Sequence, residues 1–348
     1  MESRTDIKTT NRRRPIVVAE VGQAHDGSLG TAHAYVDAIA RAGADAVKFQ
    51  THIADAESHP SEPWRVKFSR QDESRFDYWK RMEFSASQWR GLYDHACEVG
   101  LDFISSPFSI DAVEMLMDTG IDKWKIASGE VGHVPMLERI ASDHRPVILS
   151  SGMSTYEELD RAVDVFEPER HLTVLQCTSA YPTAPDQIGL NVLSELRSRY
   201  GRHVGLSDHS GTIFAGLAAA TLGAEMIEVH VTMSDSCFGP DVPASLTFDA
   251  LSDLCVGVEF IHTAVNSPIT KTEIGSDGAG MRALFTRSLV TTRIIKAGEI
   301  LDESDVMLKK PGSGIPYESL DRVIGSTART DLEANHMLTF DDLNEVSG

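Results

Sequence analysis

The chain has 348 residues, with 52 Asp and Glu against 32 Lys and Arg, for a formal net charge of −20. Such a surface repels nucleic acid and anionic lipid, which excludes both as partners and means an anionic substrate must be held in a local basic pocket. The length suits one large domain plus a small one, and no stretch approaches the roughly 18 apolar residues of a membrane span.

Residues 1–14 are polar and end in Arg12-Arg13-Arg14 with no apolar run behind them, which predicts a disordered tail rather than a signal peptide. PIVVAEVG (15–22) is a buried strand, and GTAHAYVDAIARAG (30–43) has helical periodicity ending on a C-cap glycine. DAVKFQT (45–51) is the second strand. Residues 53–84 are charged and aromatic without clear periodicity, which predicts a long loop. A helix over 85–100 has an N-cap serine and a glycine stop. Strands at LDFISSPF, KWKIASGE (123–130), PVILSSGM (146–153) and LTVLQCTSAYP (172–182) then alternate with helices. HVGLSDH and MIEVHVT flank a helical SGTIFAGLAAATLGAE over 203–232, and a last helix spans 247–265. Eight strands alternating with eight helices over about 250 residues predict a (β/α)8 TIM barrel at 15–265. An open doubly wound sheet is the rival, and it lacks a glycine fingerprint at the first turn.

Residues 266–284 are Pro/Ser/Gly-rich and read as a linker, and 285–348 form a small β-rich module. The four cysteines (Cys97, Cys177, Cys237, Cys255) show neither CxxC nor secreted-type spacing, so reduced thiols and a cytoplasmic location are expected.

Barrel chemistry sits at the C-terminal ends of the strands. There the sequence places Glu20, Lys48, Gln50, Ser106, Lys125, Ser128, Glu130, Ser150, Ser179, Tyr181, Ser207, His209 and His230. Lysines inside apolar runs need partners, and with hydroxyls they suit a phosphate or carboxylate. His209 and His230 end adjacent parallel strands, so both imidazoles reach one rim and suit a divalent metal. Asp208 and Glu228 are the expected orienting carboxylates. Alternatively, each histidine caps its strand by bonding a loop carbonyl.

The motifs AEVGQAHDGS (19–28), AVKFQT (46–51), FISSPF (103–108), KIASGE (125–130), ILSSGM (148–153), CTSAYPT (177–183), GLSDHS (205–210) and GPDVPAS (239–245) resemble those of the sialic acid synthase family, which includes legionaminate and spore-coat relatives. RSLVTTRIIKAGEIL and LKKPGSGI resemble the antifreeze-like (SAF) domain that follows the barrel there. The resemblance implies condensation of phosphoenolpyruvate with an N-acylated amino sugar, N-acetylmannosamine or a related hexosamine. The products are phosphate and a nine-carbon 2-keto acid. It also implies a divalent metal, usually Mn²⁺ with Mg²⁺ or Co²⁺ as substitutes, and a domain-swapped homodimer.

By the same resemblance, His209 and His230 hold the metal. Lys48, Lys125, Ser106, Ser128, Ser150, Ser179 and Ser207 bind phosphoenolpyruvate. Glu20, Gln50, Tyr181, Asp241 and Lys310 face the sugar, and the catalytic set is Glu20, Lys48, Lys125, His209 and His230. Three positions depart from the family pattern. Ser179 stands where many members have Asn, Val229 where many have a basic residue, and Lys310 where an arginine is usual. These departures point to a sugar other than plain N-acetylmannosamine. Three rival readings remain at this stage. One is a Schiff-base aldolase using a rim lysine, and another is a non-catalytic carbohydrate-binding homologue. The third is a phosphoenolpyruvate-condensing synthase acting on a different aldose.

Overall fold

The computed structural model describes residues 12–269 and 276–344, so most of the expected N-terminal tail falls outside the described residues. Within it, residues 12–14 are tied down. Arg12 N donates to Asn266 Oδ1 (2.9 Å), and Arg14 pairs with Asp45 (2.7 Å) and Glu259 (3.1 Å). The chain divides into two units, Met1–Pro268 and Ile269–Gly348.

The first unit is the expected barrel. Its strands are β1 (Ile16–Gly22), β2 (Ala46–Thr51), β3 (Asp102–Pro107), β4 (Lys123–Ile126), β5 (Val147–Ser150), β6 (Leu172–Cys177), β7 (His203–Asp208) and β8 (Met226–Val231). All neighbours pair in parallel, and β1 also pairs with β8, which closes the sheet and rules out the open doubly wound alternative. A short β9 (Ser245–Leu246) adds to β8.

Helix α1 (Leu29–Ala42) follows β1, capped by the Ser28 hydroxyl at one end and by Gly43 (φ 87°) at the other. An N-cap of this kind contributes about 1 kcal/mol. Helices α4 (Ala86–Glu98), α5 (Ile110–Thr119), α6 (Val134–Ala141), α7 (Tyr156–Asp164), α8 (Val192–Tyr200), α9 (Phe214–Thr221) and α10 (Phe248–Asn266) complete the outer ring.

Residues 53–84 are not one long loop. They contain α2 (Ala54–Glu57) and α3 (Arg75–Met82). The first is a single turn, too short to show a period. The second is stabilised by a Ser74/Asp77 capping box and by rings that pack face to edge, with Phe68 and Tyr78 centroids 5.0 Å apart.

Strand alternation separates two cores. Outward residues such as Val17, Phe103 and Trp124 pack under the helices. Inward residues Val18, Ala46, Ile104, Ile148, Leu175 and Met226 form a separate apolar floor inside the barrel. Two positions further along, the same inward face turns polar on β1, β2, β3, β5 and β8 (Glu20, Lys48, Ser106, Ser150 and Glu228), β6 keeps the apolar Cys177, and β4 and β7 add Lys125 and Ser207. Two more positions bring Gln50, Ser179, His209 and His230.

In the second unit, β10 (Ser288–Thr291) pairs antiparallel with β11 (Val306–Lys309), and β12 (Thr327–Ala328) with β13 (Leu343–Asn344). Helix α12 (Leu320–Val323) packs over a small core of Leu289, Ile295, Leu301, Ile315, Val323 and Leu338. The expected linker is partly helical, because α11 spans Ser276–Phe285. Gly278 and Gly280 lower its helix propensity and hid it in the sequence.

Candidate active site

The polar layer above the apolar floor is a buried charge cluster. Lys48 Nζ lies 2.6 Å from Glu20 Oε2 and 3.6 Å from Glu228 Oε1, and Lys125 Nζ lies 3.2 Å from Glu228 Oε1. Ser207 Oγ donates to the same Glu228 oxygen at 3.1 Å. Two ammoniums and two carboxylates balance, which is the condition for holding such charges out of water. Burial pulls the Lys48 ammonium down, but Glu20 and Glu228 outweigh it and raise its pKa. Burial dominates at Lys125, with Lys48 adding to it against Glu228, and its pKa falls. Burial pushes the Glu228 carboxyl up, yet Lys125 and Lys48 hold it below the usual range.

Around this cluster, Ser106 Oγ, Ser150 Oγ and Glu228 Oε2 are buried with no hydrogen-bond partner among the described residues. Orphaned hydroxyls beside two ammoniums are suited to a ligand that brings its own oxygens. Ser128 and Ser179 bring their hydroxyls within 3.3 Å of each other. Gly152 (φ +33°) permits this approach, since a Cβ there would fall 2.0 Å from Ser128 Cβ and 3.0 Å from Ser179 Oγ. Gly152→Ala is therefore expected to destabilise the protein by about 2 kcal/mol or more and to lower Tm by several degrees. An unchanged melting curve would show that the two loops yield freely.

One layer higher, the His209 and His230 rings meet edge to face with centroids 5.2 Å apart. His209 Nδ1 lies 2.7 Å from the Thr178 carbonyl, which accepts only, so Nδ1 carries the hydrogen and Nε2 keeps its lone pair. Burial, reinforced by His230, pushes the His209 pKa down to about 3, which keeps it in the neutral, ligating form. The strand-capping contact and metal binding are thus compatible, each using a different nitrogen. Among the described residues no group of three or more His, Cys, Asp or Glu would hold a metal. The donor set is two imidazoles, which suits a divalent ion with positions left for water or substrate.

The expected orienting carboxylates do other work. Asp208 points to the opposite strand face and binds Ser210 N and Oγ (3.1 and 2.7 Å). Glu228 lies a layer below with the lysines. Glu130 pairs with His133 (3.3 Å).

Above the histidines opens a cavity of about 380 Å³, whose walls include Gln23, Gln50, Ser128, Tyr181, His230 and Asp241. Tyr181 stacks on His209 with centroids 4.1 Å apart. Arg65 covers Tyr181, its guanidinium 4.7 Å from the ring centroid, and pairs with Asp241 at 3.0 Å. Gln50 Nε2 donates to Glu20 Oε1 at 2.6 Å.

The structure therefore gathers every expected barrel residue at one end. Lys310 belongs to the second unit, where its ammonium lies 5.3 Å from the Phe285 ring centroid. Val229 is buried in the outer core, so the departure at that position does not face the cavity. Arg65, His52 and Glu57 were not anticipated. Arg65 and Glu57 lie in the 53–84 segment, which lacks periodicity and whose only signal is a cluster of aromatic and charged residues, and His52 follows β2 directly.

Comparison with known proteins places these features in context. A family model described as the NeuB family matches residues 35–270, and a SAF domain model matches 286–344. An N,N'-diacetyllegionaminic acid synthase from Campylobacter jejuni is 31% identical over 94% of this chain and 99% of its own. The human N-acetylneuraminate-9-phosphate synthase is 31% identical over 91% of this chain and 89% of its own. A crystal structure of the N-acetylneuraminic acid synthetase from Leptospira borgpetersenii superposes with a TM-score of 0.67 at 28% identity, covering 77% of this chain and 90% of that one.

Proposed function

The chain belongs to the NeuB family, and from that premise we propose that it is a metal-dependent transferase joining phosphoenolpyruvate to an N-acylated amino sugar. The acceptor is N-acetylmannosamine or a related hexosamine, and the products are a nine-carbon 2-keto acid and phosphate. The observation that carries the reading is the layered rim, with two buried lysines among orphaned serine hydroxyls directly beneath the His209–His230 pair and a sugar-sized cavity.

Phosphoenolpyruvate carries carboxylate and phosphate. Lys48 and Lys125 take these charges, and Ser106, Ser128, Ser150, Ser179 and Ser207 complete the donors. Both lysines already face carboxylates, so the anion enters a preformed, charge-balanced cradle and rearranges the pairing. His209 and His230 would hold the divalent ion, with Mn²⁺ as the first choice. When bound, that ion supplies Lewis acidity at the acceptor's aldehyde oxygen. Phosphoenolpyruvate C3 then bonds to the aldehyde carbon, water adds at C2 and phosphate departs, leaving the ketone. Glu20 sits between Lys48 and Gln50, where it holds or moves a proton at the acceptor oxygen. Tyr181 offers its face or hydroxyl to the sugar, and Asp241 a hydroxyl acceptor.

The cavity favours an unphosphorylated acceptor. Its walls carry Glu57, Glu62, Glu130 and Asp241, while Arg65 is paired with Asp241 and Arg75 with Glu62 (3.1 Å). Among the described residues, no lysine or arginine of the lining is left unpaired for a phosphate. The cavity volume lies near the low end of small-molecule sites, of order 300–1,000 Å³, which suits a single sugar.

The reading also includes a cytoplasmic homodimer and a sugar contact from Lys310. These rest on the family resemblance alone, and sedimentation checks the dimer. Among the described residues no helix is long and apolar enough to cross a membrane. The deciding assay is phosphate release from phosphoenolpyruvate across N-acyl hexosamines and their 6-phosphates, with EDTA or Mn²⁺. Release requiring both Mn²⁺ and one unphosphorylated sugar is expected. Release that persists in EDTA, or that needs a 6-phosphate, would overturn the corresponding part of the reading.

A further inference from the structure

The cavity wall between β2 and α2 holds a pair that the chemistry above does not use. His52 follows β2 directly and is buried. Its ring lies between Trp79 and Phe108, with centroids 4.2 and 4.5 Å away and interplanar angles of 19° and 16°. Two flat faces fix the ring plane and leave only its nitrogens to make contacts at the edge.

Those nitrogens have dictated roles. Nδ1 lies 2.7 Å from Glu57 Oε1, a carboxylate oxygen that accepts, so Nδ1 bears the hydrogen. Nε2 is then the lone-pair nitrogen, and what it meets at 2.8 Å is Gln23 Nε2, an amide nitrogen that only donates. Gln23 Nε2 also donates to Gln50 Oε1. Gln50 Nε2 donates to Glu20 Oε1 at 2.6 Å, and Lys48 holds the other Glu20 oxygen at 2.6 Å.

Each donor in this chain follows from the one before it, starting at Glu57. Reversing His52 would turn Gln23 around, and Gln23 would turn Gln50. Two groups are left over for a ligand: Gln23 Oε1, which has no partner among the described residues, and the second N–H of Gln50. Both side chains line the cavity. The chain ends beside the metal-ligand candidate. A Cβ on Gly22 (φ +52°) would lie 3.4 Å from Gln50 Nε2, 3.5 Å from Glu20 Oε1 and 3.8 Å from His230 Cε1.

We propose that the Glu57–His52 pair is a positioning device that sets the hydrogen-bond polarity of the acceptor pocket. It presents Gln23 Oε1 to a sugar hydroxyl and a Gln50 N–H to an oxygen at the reacting end. This rests on the sugar-condensing reading above and assigns it a determinant of acceptor binding. His52 and Glu57 do not touch phosphoenolpyruvate, whose donors lie a layer lower.

The test is steady-state phosphate release with phosphoenolpyruvate and the N-acyl hexosamine that gives the fastest release in the panel above varied separately. Glu57→Gln is nearly isosteric but can donate to Nδ1, which inverts the chain, whereas His52→Phe keeps the stacking and removes both nitrogens. Each is expected to raise KM for the sugar about tenfold, the size of one lost hydrogen bond, with KM for phosphoenolpyruvate unchanged. His52→Gln restores an acceptor for Gln23 and should recover most of the loss. Equal rises in both KM values, or wild-type kinetics in Glu57→Gln, would overturn the proposal.

A second readout does not need turnover. Imidazole ¹⁵N shifts of His52, identified by their loss in His52→Gln, should report the Nδ1–H tautomer in the wild type and a move toward Nε2–H in Glu57→Gln. If the wild type released no phosphate with any acceptor, the functional reading would fall, and the tautomer would still decide the role of the pair. An Nε2–H tautomer in the wild type would refute it.

Discussion

Lys125→Met will lower phosphate release by about three orders of magnitude, equivalent to about 4 kcal/mol of transition-state stabilisation. The lysine sits at the bottom of the site with its ammonium 3.2 Å from Glu228, buried among the orphaned hydroxyls of Ser106 and Ser150. In that dry setting a cation aimed at phosphate or carboxylate has no substitute from solvent. The variant also disturbs the apo protein. The cluster of Lys48, Lys125, Glu20 and Glu228 is neutral as built, and removing one ammonium leaves an excess buried negative charge. Breaking a buried pair this way costs about 3–5 kcal/mol, so Tm should fall as well.

A double variant separates the two effects. Lys125→Met with Glu228→Gln restores neutrality and should recover most of the lost Tm. It should not recover activity, because the cation for the substrate is still missing. Activity returning together with Tm would mean that Lys125 serves the fold alone. Wild-type release by Lys125→Met would remove it from the site.

What was legible in the sequence was what depends on period and position. Strand alternation carries Val18, Ala46, Ile104, Ile148, Leu175 and Met226 to the barrel floor, and the same period carries Glu20, Lys48, Ser106, Ser150 and Glu228 above it. A lysine or histidine breaking an apolar run at such a position is visible from the sequence alone. Partner choice is not, because it depends on which strands meet across the barrel. Glu228 was read as a metal-side carboxylate on its closeness to His230. The two residues do share a face, but Glu228 is one layer lower, within reach of Lys125 and Lys48. Asp208 neighbours His209 in sequence and points the other way.

The second wall of the cavity was hidden for a different reason. Residues 53–84 fold into a single turn and a short helix around rings, with no repeated spacing to detect. Arg65 reaches Asp241 across 176 positions of sequence, and nothing local marks the pair. Gly152 read only as part of a strand motif. Its role is spatial, since any side chain there would collide with Ser128.

His209→Gln, His230→Gln and chelation by EDTA should each reduce phosphate release by about three orders of magnitude or more while leaving phosphoenolpyruvate binding in place. The expectation follows from the separation of the layers. The lysines and serines that would hold phosphoenolpyruvate lie below, and their pairing does not pass through either imidazole. His209 is kept neutral by burial and turned by the Thr178 carbonyl so that its free nitrogen faces the site, which is the form that ligates. A glutamine cannot reproduce that geometry, and losing one of the two proposed ligands should release most of the metal. Metal content, calorimetric binding of phosphoenolpyruvate and phosphate release can be read on the same preparation. Lost metal and lost turnover with binding retained is the expected pattern for the histidine variants, whereas Lys125→Met should lose binding and keep metal. If chelated protein turned over at the full rate, the histidine pair would be a strand cap only. The acceptor would then have to be activated by the rim's own charged groups, with Glu20 and its partner Lys48 as the first to test.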